Sequence, residues 1–576
     1  MYKNSKFTII LPAVVACSLV AGVLLGGLVF RTSRPVVRRP ALTAPGSDKI
    51  NRLLSLIGTQ YVDSVSIDSL TERVIPLILD ELDPHSTYLS AQDLSRAKES
   101  IEGEFDGIGV VFNMATDTVI VLNVVNSGPS AKAGIQAGDR IVTVNDTVVA
   151  GIKMPQDSVV KRLRGPRGSQ VTLGIQRAGV KDLVPFVVTR DAIPIKSIVA
   201  AYMIRPETGY IKFEQFSMNA HKELAEAIAR LKEQGMKKLI LDVRGNPGGL
   251  LDQAILISRE FLPKGKMIVY TQDRDGNREI EYSEGNGKFM DEELVVLIDE
   301  NSASASEILA GALQDNDRGT IIGRRSFGKG LVQNQIPFPD GSAVRLTVAR
   351  YYTPTGRSIQ KPYSNGREDY YNELLSRYQH DEMFSADSIH FADSLKYTTE
   401  SGRVVYGGGG IMPDIFVPVD TTDMTPYFRE VAGRSILYKF TLEFSDRYRG
   451  QLNKIRSLEE LDRFFDRQPN LLNEFVSYAA KARRDRAFES DPAGAAQGLH
   501  RPEYGVGGQC VLSRNPGNRQ RDCPVDRSAR FRRARRIVTG RASIKRTGYR
   551  SGSPFCFYRS VPFLISGAGR SRRIGF

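Results

Sequence analysis

The pattern of apolar and polar positions changes several times along the chain, first near the N-terminus. Thr8 to Phe30 is a run of 23 residues without a charge, long enough to cross a hydrocarbon core of about 30 Å as a helix. We predict a membrane anchor and a Pro- and Arg-rich linker, together covering residues 1–46. Basic residues flank the run on both sides, so charge alone does not set its orientation. Lipidation at Cys17 and cleavage of a signal peptide are the alternatives.

Two further patterns follow the linker. Residues 47–100 have the spacing of short amphipathic helices and end in ELDPHSTYLS. Residues 101–191 change to short runs rich in Val and Ile, such as RIVTVND and QVTLGIQR, which are separated by Gly, Pro and Asp. Such runs are typical of strands joined by turns. We predict a helical module followed by a compact β-rich domain.

Strands and helices alternate in the next region, residues 192–420. GYIKFEQF, KKLILDVRGN and LVVLID have strand character, and AHKELAEAIARLKEQG and LDQAILISREFL lie between them with helical spacing. This alternation predicts βα units with a largely buried sheet. Residues 361–400 are polar and Tyr-rich and are interpreted as an insertion, and residues 421–490 as a C-terminal helical segment.

The basic excess of the chain lies in its tail. The formal net charge is +14, yet residues 1–490 carry 61 basic and 61 acidic side chains, whereas residues 491–576 carry 18 basic and 4 acidic ones. A basic arm for nucleic acid or membrane, a disordered linker and an out-of-frame translation product all fit this composition. We favour the last, because Lys, Glu and the hydrophobic period disappear at one point. No nucleic-acid partner is predicted.

Three serines, Ser302, Ser304 and Ser306, stand where the apolar run LVVLI gives way to a helical pattern. Ser304 and Glu307 have the S-x-x-E spacing of a capping box, which by itself explains one serine. The N-terminus of a helix also offers N–H groups and a dipole that stabilise an alkoxide or an oxyanion. Ser304 is therefore a candidate nucleophile as well as a capping residue.

A serine nucleophile needs a base, and none of the five histidines lies in a core strand-end motif. Lys329, in SFGKGLVQNQ, has apolar neighbours, and burial of its amine would lower its pKa. A neutral lysine can accept the serine proton, and Gln333 offers an amide oxygen to orient the amine. The alternative is a surface lysine in a glycine turn. Sequence motifs for zinc or for nucleotide phosphates are absent.

A glycine pair follows another predicted strand in LDVRGNPGGL. Gly248 and Gly249 can present backbone N–H groups to an oxyanion without obstruction, or they form only a tight turn. Asp242 and Arg244 are predicted to form a structural ion pair at the end of the strand.

These segments, in this order, resemble the C-terminal processing peptidases, the tail-specific serine proteases of family S41. The resemblance covers residues 48–420. It rests on LDPHSTYL (82–89), FDGIGV (105–110), LDVRGNPGGLL (241–251), SASASEILAGALQD (302–315), GRRSFGKGLVQ (323–333), YYTPTGRSIQ (351–360) and GIMPDI (410–415). It implies a crotonase-like α/β protease core with an inserted β-rich PDZ domain and helical N- and C-terminal segments.

The same resemblance implies the roles of individual residues. The family's Ser-Lys dyad, supported by a glutamine, falls on Ser304, Lys329 and Gln333. The implied oxyanion donors are the backbone N–H groups of Gly249 and Ala305. No metal or cofactor is implied.

The β-rich domain resembles a PDZ domain in GIGVVF, SGPSAKAGIQAGDRIVTVNDTVV and RLRGPRGSQVTLGIQR. Such domains bind a free chain end by strand addition, and the N–H groups of a Gly-containing loop take its carboxylate. Here that loop would consist of Gly107, Ile108, Gly109 and Val110. Because strand addition uses main-chain hydrogen bonds, we expect broad specificity beyond an apolar last residue.

Together these features predict a single-pass serine endopeptidase of the bacterial inner membrane, with its catalytic part in the periplasm. The PDZ domain would capture protein substrates with apolar C-termini, and the dyad would hydrolyse peptide bonds through an acyl-enzyme. The sequence does not decide whether the protein forms a homo-oligomer or binds an adaptor. The alternative is a catalytically inactive PDZ scaffold, and acyl-CoA chemistry on a crotonase-like fold is a weaker analogy.

Overall fold

The N-terminal part of the protein is mainly helical. The computed structural model describes residues 47–114, 117–422 and 424–489. Its first elements are α1 (Ser47–Gln60), α2 (Ile67–Asp80), β1 (Thr87–Leu89) and α3 (Ala91–Glu102). The side chains of Ser66 and Ser90 cap α2 and α3 by accepting the N–H three residues further on. Gly103 ends α3 in the left-handed conformation.

The predicted anchor at Thr8–Phe30, Cys17 and the basic tail at residues 491–576 lie outside the described residues. Among the helices that are described, none combines the length and the apolar composition needed to cross a membrane. The anchor and the origin of the tail therefore stay predictions.

Residues 104–194 form an antiparallel β-domain. Its elements are β2 (Glu104–Gly107), β3 (Val110–Asn113), β4 (Val119–Val124), α4 (Pro129–Ala133), β5 (Arg140–Val144), β6 (Thr147–Val148), α5 (Gln156–Leu163), β7 (Gln170–Gln176), β8 (Val184–Thr189) and β9 (Asp191–Pro194). The sheet order is β3-β4-β5-β7-β8, with β6 on β5, and β2 pairs with β9 where the chain enters and leaves. Val171, Leu173 and Ile175 of β7 point into a separate core, as the period of two requires.

A sheet of mainly parallel strands is the centre of the next region. The elements are β10 (Ile198–Arg205), β11 (Thr208–Phe213), α6 (Ala220–Glu233), β12 (Lys238–Asp242), α7 (Leu251–Arg259), β13 (Met267–Asp273), β14 (Arg278–Tyr282), β15 (Glu293–Ile298), α8 (Ala305–Asp315), β16 (Thr320–Gly323), β17 (Leu331–Pro337), β18 (Ala343–Tyr352), α9 (Arg367–Gln379), β19 (Lys396–Thr398), β20 (Val404–Tyr406) and β21 (Ile415–Phe416). The order is β10-β11-β12-β15-β16-β21, and only β10 is antiparallel to its neighbour. Every residue of α8 is buried. The predicted βα units are confirmed, and the crotonase-like classification stays a prediction.

A second sheet joins the N-terminal segment to this region. Its order is β1-β18-β13-β14, and β17 also pairs with β18. In the register of β1 on β18, Thr87 lies opposite Arg345. Because β1 starts two residues after His85 and β17 starts two residues after Lys329, the sheet brings these two distant parts of the sequence together.

The C-terminal segment is a group of helices that touches the β-domain. The helices are α10 (Pro426–Gly433), α11 (Ile436–Leu452), α12 (Leu458–Asp466) and α13 (Leu471–Glu489). Arg140 of β5 forms an ion pair with Asp446 of α11 at 2.5 Å, and Arg449 Nη1 donates to the carbonyl of Ala137 at 2.8 Å. Polar contacts at a few positions therefore hold the β-domain to the C-terminal helices.

Candidate active site

Ser304 lies at the N-terminus of α8, after the turn that follows β15. Its backbone has φ 53° and ψ −114°, a conformation that costs a serine free energy and that surrounding contacts must hold. The flanking serines tie the turn to the loop after β12. Ser302 Oγ donates to the carbonyl of Val243 at 2.8 Å, and Ser306 Oγ donates to that of Asn246 at 3.0 Å.

The loop after β12 places the glycine pair against Ser304. A Cβ added to Gly248, which has φ 104°, would lie 2.9 Å from Cβ of Ser304. The Asn246 side chain shapes the loop by donating to the last carbonyl of β11 at 3.1 Å and accepting the Gly248 N–H at 2.9 Å. Within the described part of the chain, the N–H groups of Gly249 and Ala305 donate no hydrogen bond. Both remain available to an oxygen beside Ser304.

Lys329 lies in the loop between β16 and β17. Its Nζ donates to Oε1 of Gln333 at 3.1 Å. Burial lowers the pKa of Lys329 to about 8, and the charge of Arg345 acts in the same direction. The carboxylates of Asp83 and Glu307 oppose this effect. A neutral amine is therefore populated at mildly alkaline pH, which an exposed lysine does not allow.

The N-terminal segment completes this arrangement, a contribution that the sequence pattern did not indicate. Nε2 of Gln333 donates to the carbonyl of His85 at 2.5 Å, although the two residues are 248 positions apart in the sequence. Oε1 of the same amide is then available to accept from Lys329. Asp83 shapes the turn by accepting the N–H of His85 at 2.8 Å. The His85 ring contacts the Tyr370 hydroxyl at 2.8 Å. Burial, followed by the nearby Lys329 charge, lowers the pKa of His85 to about 3, so the ring is neutral.

The segment interpreted as an insertion packs against the lysine loop. Arg377 of α9 is 3 % exposed and donates to the carbonyls of Ser326 at 2.7 Å and Phe327 at 3.1 Å. The N–H of Lys361 donates to the carbonyl of Gly328 at 3.0 Å. Residues 361–400 therefore form one wall of the site. The sequence pattern indicated their polar composition but not this contact.

The predicted carboxylate loop of the β-domain, Gly107–Val110, joins β2 to β3. Gly109 has φ 72°, and the carbonyls of Ile108 and Gly109 accept N–H groups of the following segment at 3.0 and 2.9 Å. The N–H groups of these two residues donate no hydrogen bond within the described chain. β3 stands at the edge of its sheet, so an extended peptide can pair with it. No hydrogen bond joins this loop to the Ser304 site among the described residues.

Parts of the chain are similar to known families and proteins. The profile of peptidase family S41 matches residues 207–366, that of the PDZ domain matches residues 107–185, and a family of unknown function matches residues 427–491. The chain is 38% identical over 344 residues to the carboxy-terminal-processing protease of Bartonella bacilliformis, covering 58% of this chain and 78% of the relative. It is 36% identical to the carboxy-terminal processing protease CtpA of Bacillus subtilis, covering 54% and 66%. A solved photosystem II D1 C-terminal processing protease is 28% identical, with 64% and 88% coverage and a TM-score of 0.34.

Proposed function

Since the chain belongs to peptidase family S41 and is a C-terminal processing serine peptidase with a PDZ domain, we propose that Ser304 and Lys329 are its catalytic dyad. One observation carries the proposal. The Lys329 amine is buried, has a pKa of about 8, and is oriented by Gln333. Its loop lies against Ser304, because the backbone N–H groups of both residues donate to the carboxylate of Glu307.

The reaction follows from these groups. Neutral Lys329 takes the proton from Ser304 as Oγ attacks the scissile carbonyl. The oxygen that becomes negative accepts hydrogen bonds from the N–H groups of Gly249 and Ala305. The lysine ammonium then protonates the departing amine, and an acyl-enzyme forms on Ser304. Water, deprotonated by Lys329, hydrolyses the ester and restores the serine. Gln333 keeps the amine oriented through both halves of the reaction.

The β-domain supplies the substrate end. The free N–H groups of Ile108 and Gly109 suit a terminal carboxylate, and the exposed edge of β3 suits the preceding residues as an added strand. Since Val111 of β3 is 52% exposed, an apolar residue near the C-terminus of a substrate has an apolar surface to contact. We therefore propose capture of protein substrates at apolar C-termini.

The location of the enzyme and its wider fold class belong to the same proposal. The uncharged run Thr8–Phe30 supports a single-pass anchor in the bacterial inner membrane, with the catalytic part in the periplasm. The mainly parallel sheet with α8 fully buried beside it supports a crotonase-like α/β core.

A direct test uses the full chain in detergent and an unfolded protein with an apolar C-terminus. The unmodified enzyme should release fragments, and Ser304→Ala and Lys329→Met should each reduce the rate by at least about 10³-fold. A fluorophosphonate probe should label the unmodified serine and not the alanine variant. If Ser304→Ala cleaves as fast as the unmodified chain, the dyad is wrong. If the unmodified chain and Ser304→Ala both bind the unfolded protein and neither cleaves it, the chain is the PDZ scaffold.

A further inference from the structure

Ser304 and Lys329 share two buried partners. Oε2 of Glu307 accepts a hydrogen bond from the backbone N–H of each residue, both at 2.9 Å. The Tyr351 hydroxyl lies within hydrogen-bonding distance of the backbone carbonyl of each, 3.1 Å from that of Ser304. Glu307 is 0% exposed and Tyr351 is 1% exposed. Glu307 thus accepts the backbone N–H of both residues, and the single hydrogen of the Tyr351 hydroxyl is shared between their two carbonyls.

Ser304 requires such support. Its positive φ is unfavourable for a residue with a side chain, and relaxation of the turn would move Oγ. In the sequence, Glu307 is only the fourth position of a capping box. The structure adds a second role, because a helix cap does not need contacts to the lysine loop 22 positions further on.

Burial and hydrogen bonds act in opposite directions on the ionisation of Glu307. Its other oxygen, Oε1, accepts the Ser326 hydroxyl at 2.5 Å and the Gly328 N–H at 2.7 Å. Ser326 Oγ in turn accepts the N–H of Ile411 at 2.6 Å. Burial raises the pKa of Glu307, but four donors occupy both oxygens and stabilise the carboxylate.

From this geometry we propose that Glu307 and Tyr351 are positioning residues of the reaction, which hold nucleophile and base in register, and that the Glu307 carboxylate is a fixed negative charge acting on the Lys329 amine. The inference rests on the proposed dyad of Ser304 and Lys329. It concerns residues that touch neither substrate nor the reacting atoms.

Other charged groups also face Lys329. Arg345 lowers its pKa, whereas Asp83 and Glu307 raise it. His85 is neutral and adds no charge. The other buried amine near Glu307 belongs to Lys361, which forms its own ion pair with a glutamate of α9 at 3.0 Å. Removing the negative charge of Glu307 therefore lowers the pKa of Lys329, since the effect of Arg345 is then less opposed.

Glu307→Gln separates the charge from the geometry. The Oε2 position faces two backbone N–H groups, which can only donate, so the amide oxygen must take this place. The amide NH₂ then faces Ser326, whose hydroxyl can rotate and accept, and the backbone N–H of Gly328, whose hydrogen bond to this position is lost. The bridge between Ser304 and Lys329 is retained while the charge is lost. Glu307→Ala removes both, and Tyr351→Phe removes only the second bridge.

The pH dependence of kcat/KM, measured with a quenched fluorescent peptide, distinguishes these effects. Because the base acts when neutral, kcat/KM rises with pH through the lysine pKa. We expect Glu307→Gln to move this rise to lower pH. Tyr351→Phe should keep the rise in place and lower kcat by about 2- to 10-fold. Glu307→Ala should lower kcat by about 10²-fold, as expected when the reacting groups are misplaced.

Glu260→Gln is a matched control, because Glu260 is also buried and also accepts a backbone N–H, that of Lys288 at 3.0 Å. Glu260 is not among the charges that act on Lys329. Glu260→Gln should therefore lower the melting temperature and leave the rise of kcat/KM at its original pH. Far-ultraviolet circular dichroism checks that every variant is folded. If folded Glu307→Gln has the pH profile of the unmodified enzyme, the charge assignment is overturned. If Tyr351→Phe and Glu307→Ala both keep full kcat, the positioning role is overturned while the dyad stands; if Lys329→Met keeps its activity, the proposed function itself fails.

Discussion

The two candidate sites of this protein are built in opposite ways. The predicted carboxylate loop of the PDZ domain is one contiguous stretch, Gly107–Val110, and it offers main-chain groups. The Ser304 site draws a carbonyl from His85, a carboxylate from Glu307 and a hydroxyl from Tyr351, which lie far apart in the sequence. A main-chain site depends mainly on local backbone conformation, whereas the protease site depends on several separate side chains keeping their register.

This difference predicts separable defects. Changes in the PDZ loop should act on the capture of substrate and appear mainly in KM. Changes around Ser304 should act on the chemical step and appear mainly in kcat. The following experiments test that separation, beginning with the largest expected effect.

Gly248→Ala should abolish most of the protease activity, with a decrease in kcat of about 10³-fold, the size of effect that follows loss of an oxyanion donor. The new Cβ would lie 2.7 Å from the carbonyl of Ala303 and 2.9 Å from both Cβ of Ser304 and the backbone N of Ala305, so it would displace a proposed donor. Gly245→Ala is the matched control in the same loop, because Gly245 also has a positive φ but nothing lies within 4 Å of its added Cβ. Steady-state kinetics of both variants check this; equal losses would mean that backbone strain alone accounts for the effect.

The activity of the unmodified enzyme should depend on pH through Lys329. With a pKa of about 8, the amine is mostly charged at pH 6 and mostly neutral at pH 9. We therefore expect kcat/KM to fall by about 50-fold between pH 8 and pH 6, with a slope that approaches roughly tenfold per pH unit well below the pKa. A profile that is flat between pH 6 and pH 9 would contradict a lysine base.

Gly109→Ala should weaken capture of the substrate C-terminus, with a KM about tenfold higher and a much smaller effect on kcat. Gly109 has φ 72°, and its added Cβ would lie 3.0 Å from the side chain of Ile193. Gly168→Ala in the same domain has a similar φ and open space around the Cβ, and it should leave KM close to its original value. A substrate with an amidated C-terminus should show no difference between the two variants.

The smallest effect is expected at the contact between the PDZ domain and α11. Asp446→Asn weakens the ion pair with Arg140 and a second one with Arg449 of the same helix. Because Arg140 is 27% and Asp446 23% exposed, the stability should fall by about 1 kcal/mol for the pair with Arg140. Thermal unfolding monitored by circular dichroism measures this. A loss of many degrees would mean that the C-terminal helices stabilise the PDZ domain far more than this pair allows.

Local patterns in the sequence were sufficient for much of the fold and for part of the site. The βα alternation predicted the central sheet, and the predicted ion pair of Asp242 and Arg244 is confirmed at 2.6 Å. Ser304 and Lys329 each stand in a short motif, so both could be selected without coordinates. Their roles stay predictions, although the structure places their loops in contact.

The remaining contacts could not be predicted because they depend on tertiary register. The carbonyl of His85 is a main-chain group that no sequence motif specifies, and it reaches Gln333 only because β1 pairs with β18. Tyr351 is one of several tyrosines in apolar surroundings, and nothing in its neighbourhood distinguishes the one that binds two carbonyls. Arg377 lies in a polar segment that has the composition of a surface loop, yet it is buried against the lysine loop.

The carbonyl of His85 also limits how the enzyme can be matured. The segment before β1 orients the Gln333 amide that accepts a hydrogen bond from the Lys329 amine, the proposed base. If the predicted anchor is removed by proteolysis, we expect the cut to lie upstream of Asp83, whose carboxylate accepts the N–H of His85. A cut downstream of Asp83 would leave Ser304 and Lys329 in the protein. The Gln333 amide would then lose the His85 carbonyl that orients it.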